Sequence, residues 1–365
     1  MATSTAAISD SVSDNDRRQW TVRLVFAGTP AAAVPSLQRL HGLGFEIVAV
    51  ITRPDAPLGR RRILTPSPVA EAAEKLGLRV VRAARLDAET TTLIATHRPD
   101  LGVIVAYGGL VRDPLLTVPR HGWINLHFSL LPAWRGAAPV QHSLIAGGCG
   151  VGASVFRLVS QLDAGDLYAS QPHAPADHET AGDVVDALAR SGASLLSDVV
   201  TSIRAGTAHT APQVGEPTFA PKLTLDDARL DWTHPAPTIL ARFRGVTPEP
   251  GAWTTVDGVR LKIRALALDT ADASDATALP AAPGSLTAPP PVVPGICATA
   301  PSAPLAPGEF ALRNRRLVIG TATVPLVLLR VQPEGRIEMD ASAWWRGLSV
   351  PTRRIVARSK TVGGC

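Results

Sequence analysis

Cysteine is scarce in this chain, and its placement excludes two kinds of framework. Cys149, Cys297 and Cys365 stand far apart in the sequence. No Cys-x-x-Cys pair and no Cys/His set has zinc spacing, so neither a disulfide scaffold nor a bound metal is expected. No uninterrupted apolar run reaches the ~20 residues a membrane-spanning helix needs. The opening segment, MATSTAAISDSVSDNDRRQW, carries acidic groups and no apolar core. Residues 1–20 therefore read as a disordered tail and not as an export signal, and a cytoplasmic protein is expected. Phosphate-binding signatures are missing as well. The first glycine turn, Gly28-Thr29-Pro30, has no Gly-x-Gly-x-x-Gly and no Lys-Ser/Thr, which argues against a nucleotide there. Charge is modest: 18% of residues, a net of +5 and a pI near 9.5, a weak lean toward anionic partners.

What is present is a regular alternation. Strand-like runs at 21–27, 45–51, 79–81, 101–106 and 122–127 are separated by helical spacing at 34–43, 69–76 and 88–97. Short apolar strands alternating with helices imply a doubly wound, mostly parallel α/β sheet covered on both faces. An extended stretch at 169–175 and a long amphipathic helix over 180–203 close a first domain, 21–206. Residues 207–221, rich in Gly and Pro, read as a linker. From 222 to 350 the pattern changes to short alternating segments, at 252–256, 259–265, 309–312, 317–319 and 324–331, which suggest a small β domain. Residues 269–307, dominated by Ala, Pro, Ser and Thr, read as a flexible insertion in it, and 351–365 as a basic tail.

The chemistry concentrates between Ile124 and Asp166. Asn125 and His127 lie two apart on a strand and so project to one face. The turn Ser129-Leu130-Leu131-Pro132 follows at once, and Asp163 arrives later in Leu162-Asp-Ala-Gly-Asp166. An amide, an imidazole and a carboxylate converging at a strand end fit an acyl-transfer site. Asp166 reads as a turn residue beside Asp163. Tyr107 and Trp134 read either as pocket walls or as packing aromatics.

These residues stand within longer matching pieces: Phe26-Ala-Gly-Thr-Pro30, Arg53-Pro-Asp55, Gly59-Arg60, Thr65-Pro-Ser-Pro68, Val105-Ala-Tyr-Gly108, Asn125-Leu-His127, Ser129-Leu-Leu-Pro132, Trp134-Arg-Gly-Ala-Ala-Pro139 and Leu162-Asp-Ala-Gly-Asp166. Phe219-Ala-Pro-Lys222, Ala228-Arg-Leu-Asp-Trp232, Pro250-Gly-Ala-Trp253 and Gln332-Pro-Glu-Gly335 continue the series. Through them the chain resembles the bacterial methionyl-tRNA formyltransferases, over nearly everything from Val22 to Leu348 apart from the insertion. Asn-x-His, Ser-Leu-Leu-Pro and the later Asp belong to the wider 10-formyltetrahydrofolate-dependent class; the second domain and Trp134–Pro139 carry the RNA assignment. Departures from the family pattern, at Ala31–Ala33, Phe128, Val159–Gln161 and Thr247–Glu249, touch the pocket's shape more than the three polar groups.

The resemblance implies a Rossmann-like formyltransferase domain followed by a smaller β-barrel domain, oligonucleotide-binding-fold-like, that docks tRNA. It implies a monomer taking 10-formyltetrahydrofolate as donor and initiator methionyl-tRNA as acceptor, without a metal. Asn125 is expected to donate to the oxyanion, and His127 either to take the amine proton or, when charged, to help hold the oxyanion. Asp163 is expected to orient His127 and to assist proton transfer to the folate nitrogen, and Ser129, Leu130, Leu131 and Pro132 to bind folate. Arg53, Arg60, Arg61 and Arg62 form a basic loop, either a solvated charge run or a clamp on the acceptor stem. Lys222 and Arg244 are candidates for phosphate contacts. Two other readings share these residues: formylation of a small amine or sugar nucleotide, independent of tRNA, and a non-catalytic RNA-binding protein, for which Asn125, His127 and Asp163 have no use.

Overall fold

Strands buried on both faces require helices on both sides, and the first half of the chain meets that requirement. The computed structural model describes residues 22–59, 62–269 and 304–348. These fall into two units that divide after Lys222, with residues 144–147 grouped with the second. The tails, the middle of the insertion, Arg60 and Arg61 lie outside the described residues.

The first unit runs through β1 (Arg23–Gly28), α1 (Val34–Gly42), β2 (Glu46–Thr52), β3 (Ala56–Leu58), β4 (Ile63–Thr65), α2 (Pro68–Lys75), β5 (Val80–Arg82), α3 (Ala88–Thr96) and β6 (Leu101–Val105). It continues with β7 (Trp123–His127), β8 (Arg135–Gly136), α4 (Pro139–Ile145), β9 (Gly152–Arg157), β10 (Leu167–Pro172), α5 (Ala181–Ala205) and β11 (Phe219–Ala220). Seven strands form one sheet in the order β10-β9-β7-β6-β1-β2-β5. The run from β7 to β5 is parallel, whereas β9 and β10 add antiparallel to β7 and to each other. The winding reverses between β1 and β6, and such switch points place ligands at the carboxyl ends of strands. Asn125 and His127 stand at that end of β7.

Val25, Ala27, Ala49, Ile51, Ile104 and Trp123 pack with Ile94 of α3 on one face. The intervening Leu24, Phe26, Val50 and Val103 are equally buried, and α5, against α1 and β9, belongs to the helical cover of this sheet. Thr180 and Asp183 close a reciprocal capping box at the start of α5, which satisfies its first backbone donors. The Trp123 indole lies across Gly102, where an added Cβ would come within 2.1 Å of the ring, and its Nε1–H donates to the Leu115 carbonyl at 2.9 Å. Gly102→Ala is therefore expected to cost about 1–3 kcal/mol by overpacking, read as a lower denaturant midpoint. An unchanged midpoint would mean the indole yields without cost.

Three segments differ from their sequence reading. The basic loop after β2 contains a hairpin, with β3 antiparallel to β4. Residues 207–221, expected as a linker, are bonded along the first unit. Ala211 exchanges two backbone hydrogen bonds with Leu167, and β11 pairs in parallel with β8. β9, whose Gly152–Phe156 stretch is buried throughout, has no counterpart among the strands read from the sequence.

The second unit comprises α6 (Ala236–Gly245), β12 (Trp253–Val256), β13 (Val259–Leu268), β14 (Phe310–Arg313), β15 (Arg316–Ile319), β16 (Leu326–Pro333), β17 (Met339–Asp340) and α7 (Ala341–Arg346). Its antiparallel sheet, ordered β12-β13-β16-β15-β14 with β17 on β16, is curled into a half-barrel. The pairing of β13 with β16 shifts register around Ala265, where the strand bends. Inward residues Leu261, Ile263, Leu317, Leu326 and Leu328 meet Ile239 and Phe243 of α6 and Trp344 of α7. The five segments read from the sequence are β12 to β16, within a few residues; β17 and both helices are additional. Among the described residues no helix is long and apolar enough to cross a membrane.

Candidate active site

Strand alternation sends the side chains of Asn125 and His127 of β7 to one face. Asn125 is half-buried, and among the described residues its amide has no hydrogen-bond partner. His127 is 6% exposed, with the Phe156 ring edge-on to it at 6.4 Å between centroids.

The segment after β7 is tied down residue by residue. Leu130 N–H donates to the Gly150 carbonyl at 3.1 Å, and Leu131 N–H to Ser154 Oγ at 3.2 Å. The Ser129 hydroxyl donates to the Ala133 carbonyl at 2.6 Å and thereby closes the turn. Trp134 sits at a φ of 63° and donates its N–H to Thr218 Oγ1 at 2.9 Å. These bonds turn the Trp134 carbonyl onto His127, whose Nε2–H donates to it at 2.9 Å. A carbonyl only accepts, so the neutral ring is the Nε2–H tautomer and Nδ1 carries the lone pair.

Nδ1 faces Asp163, whose Oδ2 lies 4.0 Å away. That gap exceeds hydrogen-bond length, so the bond that orients the ring belongs to Trp134 and not, as the sequence suggested, to Asp163. Asp163 is 8% exposed at a φ of 46°, and its Oδ2 accepts from the Gly136 N–H at 2.8 Å. Its turn closes through Gly165, where an added Cβ would lie 1.7 Å from the Arg157 carbonyl oxygen. Only glycine permits that approach. Asp166 is exposed and contributes its carbonyl, which accepts from Arg157 N–H at 2.8 Å.

Burial disfavours the imidazolium and lowers the His127 pKa below the ordinary 6.5; Asp163 opposes that shift, and so does the Trp134 carbonyl. His127 is thus neutral at pH 7 and available as a base. In a histidine NMR titration, its resonance is expected to move below pH 6.5, the ordinary value. The sign for stability follows: an unfolded chain protonates this ring first, so stability present above about pH 6.5 is lost as pH falls below it. A resonance titrating above 6.5 would contradict the buried neutral ring.

The structure thus brings Asn125, His127, Asp163 and Ser129–Pro132 to one strand end. Tyr107 is packed into the core, 2% exposed, with its hydroxyl donating to Ala83 at 3.0 Å. Trp134 is half-exposed, stacked on His142, and its Nε1–H donates to the Cys149 carbonyl at 2.8 Å. Of the cations, Arg53 donates to the Ala84 carbonyl, and Arg62 is exposed in the hairpin turn at a φ of 49°. Asp55 is held by Arg82 at 2.8 Å, which anchors the hairpin's base. Lys222 is exposed at the end of the first unit, and Arg244 is half-buried on α6 of the second. Arg60 and Arg61 lie outside the described residues. Sequence reasoning missed the Trp134 carbonyl, Thr218 and Gln213; the first is a backbone group, and the other two sit in the supposed linker.

Comparison with known proteins makes this chain a formyl-transferring enzyme. Residues 22–200 match the family model described as formyl transferase, and 222–349 the one described as formyl transferase, C-terminal domain. Methionyl-tRNA formyltransferase of Clavibacter sepedonicus is 54% identical over 338 residues, 92% of this chain and all of that protein. The enzyme of the same name from Leifsonia xyli is 54% identical over 326 residues, covering 89% and 97% of the two chains. The solved N-formyltransferase of Helicobacter canadensis, in complex with folinic acid and dTDP-3-aminofucose, shares the fold with a TM-score of 0.58 at 14% identity, covering 86% of this chain and all of that one. The chain belongs to the methionyl-tRNA formyltransferase family.

Proposed function

We propose that Asn125, His127 and Asp163 transfer the formyl group of 10-formyltetrahydrofolate to the α-amine of methionine on initiator tRNA. Supporting this reading above all is the Trp134 carbonyl on His127 Nε2, which leaves a basic Nδ1 facing a carboxyl group. The amine attacks the formyl carbon as its neutral form; free α-amino groups titrate near ~8, so a base is needed at neutral pH. A nitrogen–carbon bond forms, and the formyl oxygen gains negative charge, toward which Asn125 donates an N–H. His127 Nδ1 accepts the proton released by the amine, and the Asp163 carboxylate stabilises the resulting imidazolium. As the bond from carbon to folate N10 breaks, the same proton passes to N10. Formylmethionyl-tRNA and tetrahydrofolate leave, and His127 returns neutral.

Ser129–Pro132 serve the folate site as a shaped wall, since the Ser129 hydroxyl and the Leu131 N–H already have partners. Arg60, Arg61 and Arg62, with Arg53, Lys222 and Arg244, are assigned to phosphates of the tRNA. The enzyme is taken to act as a monomer in the cytoplasm. Purified protein supplied with 10-formyltetrahydrofolate and charged initiator tRNA should release formylmethionine after ester hydrolysis. Formylation of a free amine with none on the tRNA would overturn the reading. Replacing Arg60, Arg61 and Arg62 by Ala should weaken tRNA binding and reduce the slope of log affinity against log salt by about one unit for each phosphate no longer neutralised. An unaltered slope would make these arginines a solvated surface.

A further inference from the structure

Gln213 lies in the segment that sequence reasoning takes for a linker, yet its amide is fully engaged, the nitrogen at the Asp163 turn and the oxygen at Arg135. Its Nε2 donates to two carbonyls, those of Asp163 and Gly165, each at 2.8 Å. Its Oε1 accepts twice from the Arg135 guanidinium, from Nη2 at 2.6 Å and from Nε at 3.3 Å. Exchanging the amide's oxygen and nitrogen would set donors against a guanidinium, so the network fixes the orientation. The next residue after Arg135 is Gly136, whose N–H holds the Asp163 carboxylate at 2.8 Å. The bonds therefore close a ring: Asp163 backbone, Gln213, Arg135, Gly136, Asp163 carboxylate. The segment carrying Gln213 is itself pinned on both sides, through the Ala211–Leu167 pair and through Thr218, which meets Pro132, Trp134 and Arg135.

Asp163 needs such support. Its backbone lies in the left-handed region, and its carboxylate must stay near Nδ1 of a ring that a separate carbonyl orients. The Gly136 N–H is the hydrogen-bond donor that holds the carboxylate from the protein side. Where that carboxylate stands thus depends on where the turn's backbone is held. We propose that Gln213 is a positioning residue for formyl transfer, which clamps the Asp163 turn to the Trp134-Arg135-Gly136 segment and so sets the spacing between Asp163 and His127. This rests on the roles given above to Asp163 and His127.

Gln213→Met keeps the length of the side chain and removes all four hydrogen bonds; Asp163→Asn, made in parallel, tests the underlying reading. In the full-length enzyme, Gln213→Met is expected to lower kcat by about ten- to a hundredfold, the effect of a misplacement on the order of 1 Å. The KM values for folate and tRNA should stay within about twofold, as when an interaction matters only in the transition state. The His127 NMR titration should move to lower pH in Gln213→Met as in Asp163→Asn, because the carboxylate's support is reduced while burial of the ring remains. A purely structural role would lower the melting temperature and the active fraction but leave the titration of the folded protein in place. Unchanged kcat and titration in Gln213→Met, with Asp163→Asn impaired, would overturn the inference alone. Full activity and an unshifted titration in Asp163→Asn would overturn the reading beneath it.

Discussion

His127→Ala should reduce turnover by about 10²- to 10⁴-fold, the range of a lost general acid–base, while tRNA affinity stays near its original value. Two effects are joined in that substitution. It removes the basic Nδ1, and it leaves the Trp134 carbonyl without the Nε2–H that it accepts at 2.9 Å. His127→Gln separates them, since its side-chain N–H can reach toward that carbonyl but offers no basic nitrogen. If proton transfer carries the rate, Gln should be as inactive as Ala, with the better-preserved melting temperature of the two. Single-turnover measurements with pre-bound folate and tRNA give the chemical step directly. Substantial turnover in His127→Gln would assign the residue to holding the Trp134 segment and remove it from proton transfer. Loss of tRNA binding in either variant would also contradict the role given to it.

The pieces of this site differ in how far the sequence exposes them. Asn125 and His127 are legible because a strand's period of two forces them to one face whatever surrounds them. Asp163 is legible as a residue but not as a geometry: its left-handed backbone and the close packing at Gly165 depend on the Arg157 carbonyl, which β9 supplies. β9 itself gives a weak signal, since Gly152–Phe156 is buried on both sides and so shows no alternation. The hairpin of β3 and β4 is hidden for the opposite reason. Leu58, Ile63 and Leu64 are exposed, so the two short strands pair without burying an apolar face that the sequence could show.

The tautomer of His127 is not legible at all, because the Trp134 carbonyl that fixes it is a group every residue has. Nor is the span of 207–221. Its Gly and Pro content describes a chain without regular structure, and apart from the two-residue β11 and the Ala211–Leu167 pair that is what it forms. Its attachment comes from a few long-range bonds made by Gln213 and Thr218, which leave no periodic trace. The large elements were easier, because continuous buried runs such as β2, and the amphipathic α5, write their burial into composition.

Asn125→Ala is expected to cost about 10²- to 10³-fold in kcat, roughly 3–4 kcal/mol of transition-state stabilisation for one oxyanion donor. The substitution is a clean one. Among the described residues the Asn125 amide bonds to nothing, so its removal orphans no protein group and the melting temperature should hold. The neutral formyl oxygen accepts a hydrogen bond weakly, whereas the oxygen that gains charge on attack accepts it strongly. The loss should therefore appear in kcat with little change in KM for folate or tRNA. Asn125→Asp should be at least as damaging, because a carboxylate offers no donor and sets negative charge against the developing oxyanion. A rise in KM at unchanged kcat would make Asn125 a ground-state contact to folate. The oxyanion would then need another donor, and the pairing of Asn125 with His127 on one strand face would no longer describe a division of labour between charge and proton.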